Sequence, residues 1–364
     1  MINKAYKYRI YPTKKQAKAL EECFGAVRYV WNHNVEIFES YSSFGPNRKS
    51  KTSTELRMFH KWMSGSSAAA QQQKEIDFKT FAKNFFSKKR KLKIGRPSFK
   101  SKKDRQSFRL PNQKFTLLVG KIKLEKIGKV RCTQDRLPEP DCKFMNVTVS
   151  RNKDGKYFAS VLVQEEIKNK FIPTGKTVGI DLGLKDFCTL SDGRKVANPK
   201  YLRENQSKLR SAQKNLSRKK KGSSRFKKCV KRVARIHSKI ERQRNHFLHQ
   251  VSIELVRDFD FIGIEDLVVS NLLKNRKLSK AVADVSWSKF AQLLTYKADW
   301  HSKIVQKVGR FSPSSRLCSD CGWKNVELKL HDREWFCKDC GVIHDRDVNA
   351  SVNIEREAIR LCST

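Results

Sequence analysis

Apolar and polar positions alternate strictly at the start of the chain, where NKAYKYRIYP (residues 3–12) reads as one β-strand stopped by Pro12 and completed by a sheet elsewhere. From Thr13, a suitable N-cap, the period lengthens to that of a helix. Ala17, Leu20, Phe24, Val27, Val30, Trp31 and Val35 share one face, which predicts one long helix or two broken near Gly25. Residues 43–66 read as loop with a short helix around LRMFHKWM, and helical spacing resumes over 67–87 through Ile76, Phe78, Phe81, Ala82 and Phe85. Over 106–165 the strand period returns in KFTLLVGKIKLEKIGKVRC, then in FMNVTVS and KYFASVLVQ on either side of the turn RNKDG. These segments predict an antiparallel barrel or sandwich, with the N-terminal strand a candidate to join it.

A second architecture follows Pro173. TVGIDLGL is an apolar strand, DFCTLSDGRKV a second strand and turn, and 201–245 a helical hairpin interrupted at KKKGSSRFKK. FDFIGIED (259–266) is another apolar strand, SWSKFAQLLTYKADW is helical, and a cysteine module precedes a last helix that opens at Asp347. No internal repeat of 20 to 50 residues is present. The pattern is that of an α/β multidomain chain.

Charge narrows the function. The 364 residues carry 79 Lys+Arg against 36 Asp+Glu, a net +43, which points to a polyanion partner. With 38% apolar residues and 22 Phe the chain is no disordered basic tail, and its length excludes a small disulfide module. No apolar run reaches the roughly 18 residues that span a bilayer, and the first residues lack a signal-peptide stretch, so a soluble cytoplasmic protein is expected. The excess is focused: 83–105 carries net +10 and 201–245 net +15. Lys88, Lys89, Arg90, Lys100, Lys102, Lys103 and Arg105 in the first run, with Arg218, Lys219, Lys220, Lys221, Lys227 and Lys228 in the second, are candidate nucleic-acid contacts. Interleaved Phe99, Phe108 and Phe226 suit backbone tracking, although a solvated helix face is the commonest fate of such runs.

Cys318, Cys321, Cys337 and Cys340 follow the pattern C-x2-C-x15-C-x2-C with Gly after each pair, the spacing of two tight knuckles around one tetrahedral Zn2+. Four thiolates leave no open coordination position, so this zinc is structural. The other six Cys show no spacing logic and read as buried apolar residues.

Three carboxylates stand where charge is costly or directed. Asp181 lies inside VGIDLGL, Glu265 ends FIGIED, and Asp347 opens a helix in HDRDVNAS. Each has a plain explanation alone: a turn residue, a strand-end surface charge, and an N-cap at Asp347 or Asp345. Together, on a +43 chain beside a zinc module, they match the way ribonuclease H-type folds hold two Mg2+ ions about 4 Å apart for phosphodiester cleavage.

Taken in order, KAYKYRIYPTKKQ, GRPSFKSKKDRQSFRL, VGIDLGLKDF, IGIEDL, YKADWHSKIVQKVGRFSPSSRLCSDCG and GVIHDRDVNAS resemble the TnpB family, transposon-encoded relatives of type V CRISPR effector nucleases. The resemblance covers essentially the whole chain. It implies a RuvC-like (ribonuclease H-type) nuclease domain with an inserted zinc ribbon, an oligonucleotide-binding-type β-barrel and a helical recognition lobe. On this chain those fall at 1–12 and 99–174 (barrel), 13–98 (helical lobe) and 175–364 (nuclease, with hairpin 201–245 and ribbon 314–343). The resemblance also implies an RNA-guided DNA endonuclease; its oligomeric state stays open in the sequence, with a monomer favoured. Its partners are a guide (omega-type) RNA copied from the transposon end and double-stranded target DNA bearing an adjacent short motif. The triad carries over to Asp181, Glu265 and Asp347 with two Mg2+, and the four Cys to Zn2+. Asp347 is taken over Asp345 because related motifs keep the Asp two residues before Asn. NAS replaces the usual two Ala after that Asn, a change of one hydroxyl. A transposase performing strand transfer with the same triad and a nuclease-inactive RNA-guided repressor are the competing readings.

Overall fold

The computed structural model describes residues 1–44, 51–87, 94–168, 170–309, 314–329 and 331–363. Contacts divide the chain into two compact units, Met1–Glu166 and Ile167–Thr364. Among the described residues no helix is long and apolar enough to cross a membrane.

In the first unit the N-terminal alternation forms β1 (Ile2–Tyr11), burying Tyr6, Tyr8 and Ile10 on one face. It lies inside a seven-stranded antiparallel sheet with β2 (Gln106–Pro111), β3 (Phe115–Leu118), β4 (Lys121–Leu124), β5 (Gly128–Cys132), β6 (Lys143–Arg151) and β7 (Tyr157–Glu165), in the order β2-β6-β7-β1-β5-β4-β3. Ile2 to Ile10 pair with Glu165 to Tyr157, so the first strand closes onto the last.

One helix, α1 (Lys14–Phe44), follows and runs unbroken through Gly25. An isolated helical Gly costs only about 1 kcal/mol. Packing on both sides outweighs that: Leu20, Phe24 and Val27 sit on the sheet, and Ala26 and Val30 meet Leu56 and Met63. The short α2 (Ser53–Phe59) has a Thr52–Glu55 capping box, and α3 (Ala68–Phe86) is capped by Ser67. Ala70 of α3 joins the same core, so helices expected as a separate lobe share one hydrophobic centre with the strands. Phe108 is buried there too, facing Phe24 at 5.4 Å between ring centroids. Its expected role beside the basic run is therefore corrected: the strand period points it inward.

The second unit is built on a five-stranded sheet in the order β10-β9-β8-β11-β12. Its strands are β8 (Thr177–Leu182), β9 (Asp186–Leu190), β10 (Lys195–Ala197), β11 (Phe261–Glu265) and β12 (Ile304–Val308). β8, β11 and β12 pair in parallel, β9 pairs antiparallel with β8, and β10 antiparallel with β9. The basic segment forms α4 (Tyr201–Glu204), α5 (Gln206–Ser217) and α6 (Ser224–Asp258), the last continuing well past residue 245. After α7 (Val269–Leu272) and α8 (Ser279–Val285), α9 (Trp287–Trp300) packs with α6 on one sheet face through Leu248, Leu255, Phe290 and Leu294. A small β13 (Glu334–Phe336) and β14 (Ile343–Asp345) hairpin lies in the cysteine module, and α10 (Arg346–Ser363) covers the other face. Of the remaining cysteines, Cys23, Cys132 and Cys188 are buried and Cys142 and Cys229 half-buried, but Cys362 is exposed on the last turn of α10.

Candidate active site

Period two in β8 and β11 decides where the carboxylates go. Val178, Ile180 and Leu182, with Ile262 and Ile264, fill the core against α6 and α9. Thr177, Gly179 and Asp181 therefore point the opposite way, as do Phe261, Gly263 and Glu265. The two glycines are paired in register, Gly263 with Gly179, so Asp181 and Glu265 stand two residues beyond a matched pair on neighbouring parallel strands. Absence of side chains at these positions is what admits α10: a Cβ on Gly263 would lie 2.7 Å from the Ala358 Cβ, and one on Gly179 would overlap the Ser351 carbonyl. The hydroxyl of Thr177 donates to Glu355 of α10 on the same face.

Helix α10 brings the third carboxylate. Asp345 is its cap, accepting from the N–H of Asp347 (3.0 Å) and of Val348 (3.1 Å) and pairing with Lys195 Nζ at 2.5 Å. Burial alone would raise the Asp345 carboxyl, but the Lys195 ammonium and these N–H donors hold it below the usual range. Asp347, in the first turn, lines a cavity of about 370 Å³ together with Asp181, Glu265, Lys185, Asp186, Ser314, Arg333 and Arg346. Asp345 is thus engaged as the helix cap, whereas Asp347 stands at the cavity beside Arg333.

Electrostatics ties the three together. Burial, then the charges of Glu265 and Asp347, push Asp181 up to about 7, against the opposing pull of Arg346. Burial likewise raises Glu265, softened by the Ser314 hydroxyl, which donates to Glu265 Oε1 at 2.9 Å. Arg333 Nη1 lies 3.5 Å from Asp347 Oδ2. Among the described residues this trio is not one of the sets whose ligand atoms all lie within 4.8 Å of one another. It is an open cluster of oxygen donors that repel one another. Oxygen-only donors suit Mg2+, and a cation placed between them removes the repulsion, so the residues fit that metal.

The cysteines form a closed cluster. Sγ of Cys318, Cys321, Cys337 and Cys340 all lie within 4.8 Å of one another, with Cys318 to Cys340 and Cys321 to Cys337 at 3.6 Å. Burial raises the Cys337 thiol, yet the N–H groups of Cys340 and Asp339 outweigh it and bring the thiol to about 7, favouring a thiolate ligand. Positive φ at Gly322 and Gly341 makes each knuckle turn. Four sulfurs at this spacing are compatible with structural Zn2+. His344, which the motif reading missed, sets Nε2 3.0 Å from Cys318 Sγ and lies tilted against the Trp335 ring at 4.8 Å, the kind of outer partner that orients a ligand.

The basic candidates fare unevenly. Lys88, Lys89 and Arg90 lie outside the described residues. Lys102, Lys103 and Arg105 are exposed before β2, whereas Lys100 is half-buried 3.7 Å above the Trp31 ring. Arg218, Lys220, Lys221, Lys227 and Lys228 are exposed around the α5–α6 turn and Lys219 is half-exposed. A second cavity of about 810 Å³ shares Leu184 and Lys185 with the acidic one and adds Lys200, Arg203, Arg210, Lys277 and Lys280. Sequence reading missed this groove because its cations are scattered singly and converge only when α5 and α8 fold beside β9.

The family described as "Probable transposase" matches residues 159–276, that described as "Cas12f1-like, TNB domain" matches 287–354, and one described as "Helix-turn-helix domain" matches 1–41. In this chain residues 1–41 are a strand and most of a single helix. A Streptomyces pristinaespiralis protein named as an RNA-guided DNA endonuclease is 38% identical over 97% of this chain and 89% of its own. An Escherichia coli K12 protein of the same description is 29% identical over 96% and 91%. The fold is similar to a solved Cas12f1 in complex with single guide RNA and target DNA, at TM-score 0.57 and 13% identity, covering 97% of this chain and 98% of that one.

Proposed function

Because the chain belongs to the TnpB family of RNA-guided DNA endonucleases, we propose that Asp181, Glu265 and Asp347 form its nuclease centre, in a RuvC-like domain that cuts under a guide copied from the transposon end. One observation carries this reading: three carboxylates from two strands and a helix line one cavity, where burial, and after it the charges of Glu265 and Asp347, raise Asp181 to about 7. Such a cluster is costly without a cation.

The residues divide the work. Asp181 and Glu265 hold the cation ligands on rigid parallel strands, and Asp347 completes the set from the first turn of α10. Two Mg2+ ions held there would generate the attacking hydroxide and stabilise the leaving oxygen. Arg333 and Arg346, at the rim, face the phosphate that enters and offset its charge. Lys185 and the adjoining groove cations hold the strand by its backbone, without reading sequence. Sequence choice then falls to pairing between the guide and one DNA strand, with the protein reading heteroduplex shape and a short motif beside the target. The cysteine cluster, loaded with zinc, keeps the start of α10 in place.

The test is to purify the protein from cells that carry its native flanking DNA, sequence the RNA that comes with it, and offer plasmids matching that RNA. Mg2+-dependent cutting that disappears in Asp181→Ala is the expected result. A bound RNA without cutting would shift the reading to a guided repressor, and products joining two DNA ends to a transposase.

A further inference from the structure

The cysteine cluster and the acidic cavity are joined by one clamped stretch of backbone. Asn349 and Asn353, one turn apart on α10, are both buried. Asn353 Nδ2 donates to the carbonyls of Ser314 (2.8 Å) and Leu317 (2.7 Å). Asn349 Nδ2 donates to Leu317 O at 2.7 Å, and its Oδ1 accepts the Ser319 N–H at 2.8 Å. The Arg356 guanidinium donates to the Ser319 carbonyl as well. The clamp thus brackets Cys318 on both sides. Its other end is Ser314, itself buried, whose hydroxyl donates to Glu265 Oε1 at 2.9 Å.

We propose that Ser314 is a positioning residue for the acidic site, held by Asn349 and Asn353 so that the folded cysteine module sets the divalent-cation affinity of Glu265 and its neighbours. The proposal rests on the reading of Asp181, Glu265 and Asp347 as cation ligands. Its physics is that of an outer ligand shell. A strand-end carboxylate turns freely about its last torsion, and a fixed hydroxyl on Oε1 selects one orientation of a side chain that lines the cavity. The hydroxyl is itself fixed only because its backbone carbonyl is tied to Asn353 and its chain leads directly into the Cys318 knuckle. Two buried amides devoted to one loop are otherwise expensive, since each donor and acceptor left unmet there is penalised.

The experiment uses the full-length, zinc-loaded protein and Mn2+ alone as probe, followed by electron paramagnetic resonance without RNA or DNA. Asp181→Ala identifies which Mn2+ binding belongs to the acidic site. Ser314→Ala is expected to weaken that binding by about tenfold, the usual effect of losing an outer-shell partner. Ser314→Thr, which keeps the hydroxyl, should restore it, and zinc content should stay at the wild-type level in both. Asn353→Ala should shift Mn2+ binding in the same direction. Wild-type Mn2+ binding in Ser314→Ala, where Asp181→Ala has lost it, would overturn the proposal and leave the nuclease reading standing. So would equal weakening in the Ala and Thr variants, which would make the role one of packing. Unchanged Mn2+ binding in Asp181→Ala would remove the nuclease reading and the proposal with it.

Discussion

Gly179 on β8 lies so close to the Ser351 carbonyl of α10 that a methyl group there would overlap it and stand 2.5 Å from the Glu355 N–H nitrogen. The obstacles are backbone atoms, which cannot rotate away. Gly179→Ala should therefore push α10 off the sheet and destabilise the second unit by about 3 kcal/mol. Melting should fall by roughly 6–12 °C, and an unchanged melting temperature would show that the helix has room to retreat.

The two aspartates at the start of α10 should separate by substitution. Asp345→Ala removes the cap and should cost about 1 kcal/mol of stability while leaving measurable cutting. Asp347→Ala should leave the melting temperature intact but lower cutting by at least about a hundredfold, because the proposed centre would lose one of its three carboxylates. The reverse pattern would move the third carboxylate to Asp345.

Protonation of Asp181 links pH to both stability and cation binding. In the fold it ionises at about 7, against about 3.9 in an unfolded chain. Between those values the folded state holds a proton that the unfolded state has lost, so stability from this group falls as pH rises from about 4 to 7. A bound cation favours the ionised form, so Mn2+ affinity should drop by about tenfold for each pH unit below 7 and level off above it. Calorimetry at several pH values checks this; a flat profile in the wild type would contradict the raised value.

Cys337→Ser should lower zinc content and loosen the stretch that Asn349 and Asn353 hold, making residues 314–345 the first site of proteolysis. Cutting should fall with it. Full zinc content in this variant would mean that the metal does not depend on Cys337.

Charge at the α5–α6 turn should appear in salt dependence. Changing Lys219, Lys220 and Lys221 to Gln should reduce the slope of log K for RNA against log salt by about 2, if all three touch phosphates. An unchanged slope would leave them as a solvated surface.

Residue periodicity alone carried much of this molecule. Alternation in 3–12 and 106–165 defined the strands, and apolar spacing defined α1 and α3, because burial of one face imposes a period that local sequence records. Cysteine spacing foretold the cluster, since a tetrahedral ion demands two knuckles. The identities of Asp181, Glu265 and Asp347 were legible as charges in apolar or helix-opening contexts. What joined them was decided by tertiary structure: parallel pairing of β8 with β11, and two glycines that let α10 descend onto the same face. Phe108 shows the converse, a residue whose basic neighbourhood suggested nucleic acid but whose strand phase sends it to the core. Ser314, Asn349, His344 and the basic groove were invisible in the sequence, because their partners lie many residues away and only folding sets the distances.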